Sequence, residues 1–252
     1  MSIQELIDRG ALFAVSHSGG KDSQAMLKVV RDLVPDKQIL VIHATLPGVE
    51  WEGTERHVYE TCKGLDVITV QAVKTFEEMV ERRGMWPSPK YRQCTSDLKR
   101  GPIEKGIRGY LKANPQFDGL VVSCVGLRAE ESTSRAKAET FKYSKRNSKA
   151  GREWYDWLPI HEMLVDRVFL TIAQADQDPH WAYAAGMSRL SCCFCIMSSL
   201  EDLKTAARLN PELYARYVAL EKKLDHTFLM PRKGQAPRGL EEVTGIKVQF
   251  NS

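Results

Sequence analysis

The chain has 252 residues, of which 43% are hydrophobic and 27% are charged, and its formal net charge is +4. A chain of this length and composition builds a sizeable core, which excludes disordered, collagen-like and disulfide-scaffold proteins. No apolar run approaches the roughly 18 to 20 residues that a membrane helix requires. The opening MSIQELIDRG lacks the basic start and apolar stretch of a signal peptide. We therefore expect a cytoplasmic protein without a membrane partner.

Short apolar runs alternate with helix-like segments along the first half of the chain. Continuous apolar strands separated by helices are typical of a parallel sheet that is covered on both faces. We predict an α/β fold with a doubly wound, mostly parallel sheet of five strands. The predicted strands are 11–16, 39–44, 67–73, 120–125 and 155–160, and the predicted helices among them are 22–34, 53–63, 76–83 and 102–113.

The segment from Lys137 to Arg152 is polar and almost free of aliphatic residues, which predicts an exposed, mobile loop. Its single acid is Glu139, and the aromatic residues Phe141 and Tyr143 lie between its basic ones. Basic residues with interleaved aromatics suit a nucleic-acid backbone or an exposed base, although a plain solvated loop has the same composition. The six basic residues are Lys137, Lys142, Lys145, Arg146, Lys149 and Arg152.

The last quarter of the chain has helical periodicity. Residues 200–224 predict two amphipathic helices, with Asn210 as the cap of the second helix and Pro211 at its first position. We assign residues 1–200 to an α/β domain that includes a cysteine-rich segment, and residues 201–252 to a helical C-terminal extension and tail.

The string SHSGGKDSQAML lies where the first predicted strand ends and the first long helix begins. Glycines let the backbone approach a phosphate, and a helix start presents free amides and the positive end of its dipole. We expect Lys21 to add positive charge and Asp22 to hold Mg²⁺ bound to a polyphosphate. Neither the Walker A pattern nor the dinucleotide fingerprint is present. The predicted nucleotide contacts here are Ser16, Ser18, Gly19, Gly20, Lys21, Asp22 and Ser23.

The string SGGKDS in this setting resembles the PP-loop of N-type ATP pyrophosphatases, the adenine nucleotide α-hydrolase superfamily. The resemblance implies cleavage of ATP between its α and β phosphates, which releases pyrophosphate and leaves an adenylated acceptor. It also implies that adenine lies against Ile42, His43 and Ala44 at the end of the second strand. His43 stands where the family often has an aspartate, so a structural role and a catalytic role both remain open for it.

Further strings resemble the branch of this superfamily that contains the PAPS and APS reductases. They are CTSDLKRGP, GLRAEESTSR and YAAGMSRLSCCFC, and together with the loop they extend the resemblance from residue 11 to about residue 200. The second string implies phosphate contacts by Gly126, Arg128 and Arg135, with Arg128 joining Lys21 and Asp22 as a catalytic residue.

The reductases of this branch carry a catalytic cysteine near the C-terminus, whereas this chain has no cysteine after Cys195. The CxFC string that ends at Cys195 and the segment NPELYARY resemble the adenylating component of DNA phosphorothioation systems. We therefore expect an enzyme that activates a target with ATP for sulfur incorporation. The alternatives are a PAPS reductase-like enzyme and a nucleotide-binding subunit without turnover. The implied partners are a sulfur donor such as a cysteine desulfurase and DNA or another nucleic acid within a multi-protein complex, and a homo-oligomer is compatible with this reading.

Four cysteines lie in the motif segments, namely Cys94, Cys192, Cys193 and Cys195. Thiolates of this kind hold a [4Fe–4S] cluster or a structural zinc ion, and inert buried thiols are a third reading. The family resemblance favours the four-iron cluster. Cys193 is the least certain ligand, because adjacent side chains point in different directions.

Overall fold

The computed structural model describes residues 1–231 and 234–248. Its strands are β1 Leu12–Ser16, β2 Ile39–Thr45, β3 Asp66–Gln71, β4 Leu120–Cys124, β5 Phe141–Tyr143 and β6 Glu153–Trp157. Its helices are α1 Ile3–Asp8, α2 Lys21–Leu33, α3 Thr54–Thr61, α4 Phe76–Arg83, α5 Gln93–Thr95, α6 Gly101–Ala113, α7 Thr133–Ala136, α8 Val165–Gln174, α9 Leu200–Leu209, α10 Pro211–Leu224 and α11 Leu240–Thr244. A π-helical turn, Ser96–Arg100, lies between α5 and α6.

The strands form one sheet in the order β3-β2-β1-β4-β6-β5. The pairs β1–β2, β1–β4 and β4–β6 are parallel, and β5 runs antiparallel to β6. The predicted α/β class and the mostly parallel sheet are therefore confirmed. The order reverses direction at β1, because the chain first adds strands on one side of β1 and then on the other. The carboxyl end of β1 is thus a topological switch point, where open α/β sheets bind ligands.

The predicted count of five strands is wrong, since the sheet has six. The extra strand, β5, lies within the segment that was predicted to be a mobile loop. It is only three residues long, and its pairing comes from β6, with Phe141 opposite Trp157 and Tyr143 opposite Tyr155. The Phe141 ring also stacks on the Tyr155 ring at 5.3 Å. Pairing with a strand more than ten residues away leaves no trace in a three-residue pattern that contains a lysine and is flanked by Thr140 and Ser144.

Helices cover both faces of the sheet because successive strand residues point to opposite sides. Phe13 and Val15 of β1 pack in a cluster with residues of α1, α2 and α3. Leu12 and Ala14 pack in a second cluster that contains Ile107 and Leu111 of α6. The doubly wound arrangement predicted from continuous apolar strands is therefore present.

The chain divides into two compact units. The sheet unit consists of Met1–Ala44, Gly53–Val70 and Pro102–His180, and the helical unit consists of Thr45–Glu52, Gln71–Gly101 and the described part of Trp181–Ser252. This grouping by contacts differs from the boundary predicted at residue 200, which stays a prediction. Residues 249–252 of the predicted C-terminal extension lie outside the described residues.

Aromatic side chains form the core of the helical unit. The buried Tyr217 ring of α10 lies 5.1 Å from Trp86, 5.3 Å from Phe194 and 5.7 Å from Phe228. As predicted, Asn210 is the cap residue of α10 and Pro211 is its first residue. These contacts place the segment around Phe194, which carries three of the cysteines, directly against α10.

Among the described residues, no helix combines the length and the apolar character that crossing a membrane requires.

Candidate functional site

The loop between β1 and α2 is folded back on itself by its own side chains. Gly19 has a φ of +76°, a left-handed conformation that costs glycine little. Its amide donates a hydrogen bond to Nδ1 of His17 at 3.1 Å. Ser23 Oγ accepts from the Ser18 amide at 3.2 Å and donates to the Gly20 carbonyl at 2.8 Å. The loop is therefore preformed, and the Ser23 hydroxyl proton is used inside it.

The start of α2 lacks a side-chain cap. Gly20 occupies the cap position with an extended backbone and makes no side-chain hydrogen bond to the first turn. The amides of residues 21–23 consequently have no capping side chain and carry the positive end of the helix dipole. Lys21 is buried, Asp22 and Ser16 are partly exposed, and Ser18 is exposed. The predicted loop residues thus lie together around one helix N-terminus.

The Asp22 carboxylate joins this helix start to the loop after β4. Arg128 Nε donates to Asp22 Oδ1 at 2.6 Å, and Lys21 Nζ donates to Asp22 Oδ2 at 3.2 Å. The three predicted catalytic residues therefore form one contiguous ion cluster. Since each carboxylate oxygen has two lone pairs, both oxygens of Asp22 keep acceptor capacity beyond these two bonds.

Arg128 is held in place from several sides. It is only 4% exposed, its Nη1 donates to Glu130 Oε2, and the same nitrogen donates to the Met163 carbonyl at 3.3 Å. Burial lowers the pKa of the Arg128 guanidinium, but Asp22 and Glu130 outweigh burial and raise this pKa above its ordinary value. Arg128 is therefore a fixed positive charge beside the loop.

Gly126 sets the close approach of these two segments. A Cβ atom built on Gly126 would lie 3.0 Å from the Asp22 carbonyl oxygen and 3.2 Å from the Ser23 amide nitrogen. Its predicted role as a phosphate contact stays a prediction. What the structure gives it is a packing role, because a larger residue here would push the loop after β4 away from α2.

The end of β2 contains the three residues that were predicted to contact adenine, and Ile42, His43 and Ala44 are all buried. The Ile42 carbonyl accepts from the His17 amide at 2.9 Å, and His43 Nδ1 lies 2.9 Å from the His17 carbonyl oxygen. The His43 ring thus has a structural contact with the phosphate loop.

His17 is a residue that the sequence analysis missed. Burial, with smaller contributions from His57 and His43, lowers the pKa of His17 to about 3. The ring is therefore neutral at ordinary pH, which keeps Nδ1 available as the acceptor for Gly19. Its position inside SHSGGKDS was the only feature of the sequence that could have pointed to it. The neutral state of its ring depends on burial, and burial of one residue cannot be read from the residue types.

Arg135, the third predicted phosphate contact after β4, lies in α7 and pairs with Glu131. Its carbonyl oxygen is 2.9 Å from His161 Nε2. Among the residues that the structure describes, the Arg135 side chain forms no hydrogen bond or ion pair with Asp22 or Arg128. The structure therefore brings Arg128 into the ion cluster and gives Arg135 a separate acidic partner.

The cysteine segments lie in the helical unit. Cys193 is fully buried in the aromatic core; its amide donates to the Val49 carbonyl at 2.8 Å, and its Sγ lies 3.7 Å from Asn210 Oδ1. Cys94, Cys192 and Cys195 are only partly buried. Cys193 thus points into the core, whereas the other three thiols retain exposure.

Electrostatics link these three thiols to one another and to Lys99. Burial raises the pKa of Cys192 to about 11, with Cys195 and Cys94 raising it further and Lys99 opposing them. Burial also raises the pKa of Cys94, and Cys195 adds to this shift. Burial of Cys193, followed by its neighbour Cys192, raises the pKa of Cys193 to about 12. Cys94, Cys192 and Cys195 therefore lie within electrostatic range of one another, and Cys193 lies within range of Cys192.

For Lys99, the neighbouring charges outweigh burial in their effect on the pKa. Burial lowers its pKa, but Cys192, Glu50, Cys195 and Cys94 together raise it above its ordinary value. Glu50 accepts a hydrogen bond from Thr45 Oγ1 at 3.1 Å. Both residues lie in strings that carry the family resemblance, Lys99 in CTSDLK and Glu50 in TLPGVEWEGT, but neither was predicted as a catalytic, nucleotide-binding or metal-binding residue.

Within the described ranges, no three or more His, Cys, Asp or Glu side chains are grouped closely enough to hold a metal ion. The three thiols are therefore near one another without converging on a single point. A zinc ion binds four ligands at one centre. A four-iron cluster places each thiolate on a different iron atom, so its cysteines stand farther apart.

The family follows from the sequence match. A model described as the phosphoadenosine phosphosulfate reductase domain matches residues 13–198, which include both the ion cluster and the four cysteines. The chain belongs to this family. No curated protein matches it.

Solved structures resemble this family member only distantly. FMN adenylyltransferase from Candida glabrata is 14% identical with a TM-score of 0.45, over 73% of this chain and 53% of that one, so the chain spans about half of that enzyme's length. The PAPS reductase from Candida auris is 14% identical with a TM-score of 0.48, over 76% and 88% of the two chains. A U34-tRNA thiolase from Methanococcus maripaludis, solved with its [4Fe–4S] cluster, is 14% identical with a TM-score of 0.41, over 97% and 87%.

In this member of the PAPS reductase domain family, Gly126→Ala is expected to lower the free energy of unfolding by about 1–3 kcal/mol, because overpacking displaces the loop from α2. Urea denaturation measures this change. The matched control is Gly109→Ala in α6, where a Cβ meets nothing within 4 Å and where alanine should stabilise the helix by up to about 1 kcal/mol. Equal stability of Gly126→Ala and the wild type would show that the loop does not depend on this close approach.

Proposed function

We propose that the chain is an ATP pyrophosphatase that hydrolyses ATP to AMP and pyrophosphate, or transfers AMP to an acceptor, in order to activate a target for sulfur incorporation. The observation that carries this proposal is the contiguous cluster of Lys21, Asp22 and Arg128 at the uncapped start of α2. A pyrophosphate group carries several negative charges, and helix amides with two fixed cations suit such a leaving group.

The proposed chemistry breaks the bond between the α-phosphorus and the oxygen that bridges to the β-phosphorus. An acceptor oxygen attacks the α-phosphorus, and the electron pair of the broken bond leaves with pyrophosphate. The amides of residues 21–23 and the Lys21 ammonium bind the leaving phosphates, and Arg128 stabilises charge that develops at the reacting phosphorus. Mg²⁺, held through the remaining lone pairs of Asp22, would neutralise phosphate charge.

Positioning of these groups depends on the neutral residues around them. His17 holds the Gly19 amide, so the loop keeps its turn without a bound ligand. Gly126 lets Arg128 approach Asp22. Preorganised donors of this kind favour catalysis because they do not have to be reoriented during the reaction.

Asp22→Asn should lower the rate of AMP and pyrophosphate formation from Mg-ATP by at least about 100-fold, because the amide can no longer hold Mg²⁺ or anchor the two cations. The matched control is Asp32→Asn on the same helix, where the carboxylate pairs with Lys28 on the surface and full activity should remain. Chromatography of the nucleotide products measures both variants.

Three outcomes of that assay would contradict the proposal. Formation of ADP and phosphate would overturn the bond assignment. Thioredoxin-dependent release of sulfite from PAPS would favour the reductase activity for which the family is named. A single bound ATP that is never turned over, with or without partner proteins, would favour a nucleotide-binding subunit.

We further propose that Cys94, Cys192 and Cys195 hold a [4Fe–4S] cluster, with zinc as the alternative, and that Cys193 is a core residue. When bound, such a cluster would supply the redox or sulfur-binding chemistry of the sulfur transfer. Lys99 lies among these thiols and would offset their negative charge. The sulfur donor in this proposal is a protein such as a cysteine desulfurase, and the setting is DNA phosphorothioate modification.

Each of the single variants Cys94→Ala, Cys192→Ala and Cys195→Ala should lose the brown colour and most of the bound iron when the protein is purified anaerobically. Cys193→Ala serves as the internal control, because its thiol points into the core, and it should keep the iron content of the wild type. Iron analysis and visible absorption measure both. A colourless protein with one zinc per chain would establish the zinc alternative, and loss of iron in Cys193→Ala would make Cys193 a ligand.

The proposed nucleic-acid contact is the hairpin of β5 and β6. Arg146 of this hairpin pairs with Glu104, and Lys142 lies opposite Asp156. The exposed Lys145 and Lys149 in its turn make no ion pair within the described residues. Free lysines beside the half-exposed Tyr143 ring suit a phosphate backbone with an exposed base.

The double variant Lys145→Gln, Lys149→Gln should weaken binding of single-stranded DNA and lower the slope of log K against log salt by about 0.7 for each lost phosphate contact. Fluorescence anisotropy over a salt series measures this slope. The matched control is Lys37→Gln with Lys63→Gln, two exposed lysines elsewhere in the sheet unit, whose slope should equal that of the wild type. Equal slopes in both double variants would remove the hairpin from the interface, whereas ATP turnover would be unaffected.

A further inference from the structure

A basic cavity lies in the helical unit, and none of the residues that line it is one of the proposed cluster ligands or belongs to the loop between β1 and α2. It has a volume of about 540 Å³, which is within the size range of small-molecule sites. Lys74, Arg82 and Arg83 line it, and its single acid is Asp97. The Asp97 carboxylate accepts hydrogen bonds from Gln93 Nε2 at 2.8 Å and from Ser96 Oγ at 2.7 Å.

The charge in this cavity is only partly balanced. Hydrogen bonds from Ser96 and then Gln93, with a smaller contribution from Lys74, lower the pKa of Asp97, so this carboxylate is ionised at neutral pH. It offsets one of the three cations. The walls therefore carry a net charge of about +2, which favours an anionic ligand.

Arg83 is the residue that points most directly to a ligand. Its Nη1 is buried and has no hydrogen-bond acceptor among the described residues. A buried guanidinium nitrogen without an acceptor is unfavourable, and few native structures leave one. A state in which the guanidinium turns toward an acceptor in the cavity is therefore favoured, and an anion placed there supplies that acceptor.

The position of Arg82 and Arg83 at the end of α4 has a simpler explanation, since cations at a helix C-terminus interact well with its dipole. That explanation accounts for Arg82. It does not account for an Arg83 nitrogen that is buried yet bonds neither the last carbonyls of the helix nor any carboxylate. The helix-dipole explanation also does not apply to Lys74, because this residue follows β3 and is not at the end of α4.

We propose that this cavity binds a phosphate group of a nucleotide-sized ligand. Three cations suit a phosphate. The remaining walls include the apolar side chains of Val73, Met79 and Leu98, which suit the sugar or base that a phosphate ester carries. Gln93, the first residue of α5, also lines the cavity and precedes Cys94. The cavity is distinct from the loop between β1 and α2 and does not depend on ATP turnover there.

The test uses the full chain and three probes, namely inorganic phosphate, AMP and a single-stranded pentanucleotide. Hydrogen exchange measured by mass spectrometry should show at least about twofold slower exchange in peptides that span residues 72–83 and 93–98 when a probe binds. Protection by AMP but not by phosphate alone would assign a mononucleotide, and protection by the pentanucleotide alone would assign a strand of nucleic acid. No protection in these peptides by any probe would overturn the proposal.

Arg83→Met supplies the variant, because methionine keeps an unbranched side chain but removes the donors. It should lose the protection of residues 72–83 and bind the effective probe at least about tenfold more weakly, while protection around residues 16–23 is retained. Arg56→Gln, an exposed arginine of the sheet unit, is the control and should behave as the wild type. These peptides are separate from the phosphate loop, so failure here and failure of the proposed ATP reaction are distinguishable.

A measurement without ligand separates this role from a structural one. If Arg83 serves to bind a ligand, the ligand-free Arg83→Met variant should have a midpoint of thermal unfolding equal to or higher than that of the wild type. The reason is that the substitution removes a buried hydrogen-bond donor that has no acceptor. The effective probe should then raise the midpoint of the wild type and leave the variant unchanged. A variant that unfolds several degrees earlier without ligand would show that Arg83 supports the fold and would overturn the proposal.

Discussion

The Asp22 carboxylate is the interaction on which the rest of the sheet unit depends. It lies at the first turn of a helix, where the dipole favours a negative charge, and it binds one cation from its own helix and one from the loop after β4. Breaking a buried pair of this kind leaves an uncompensated charge, which is costly. The two segments that border the carboxyl end of β1 are therefore tied together through a single side chain.

That tie requires a close approach of backbones, which Gly126 provides. It also requires that the loop before α2 keep its own shape, which His17 provides through a neutral ring nitrogen. Glu130 completes the arrangement by binding Arg128 from the opposite side and accepting the Val165 amide at 3.0 Å. A catalytic reading of this cluster and a structural one are thus not alternatives, because the contacts that position the charges also hold the loops.

In the helical unit, the same principle separates cysteines that are adjacent in sequence. Cys193 is fully buried in the aromatic core and its amide bonds to Val49, whereas Cys192 packs against the same core with part of its surface exposed. Asp202 supports this segment, since its buried carboxylate accepts bonds from the Ser188 amide and hydroxyl, each at 2.7 Å. The direction of each thiol is therefore set by packing and backbone hydrogen bonds rather than by the spacing of the cysteines.

The sequence by itself determined the fold class, the turn between β1 and the start of α2, and the start of α10. Each rests on local chemistry: continuous apolar strands, Gly19 and Gly20 before a helix, and Pro211 after Asn210. Only the tertiary structure decided the sixth strand, the partners of Arg128 and Arg135, the burial of Cys193 and the hydrogen bond of His17 to the Gly19 amide. These depend on pairing and burial between residues that are distant in the chain or that point in opposite directions. The residue types supply the hydrogen-bond donors and acceptors, but the fold decides which of them come into contact.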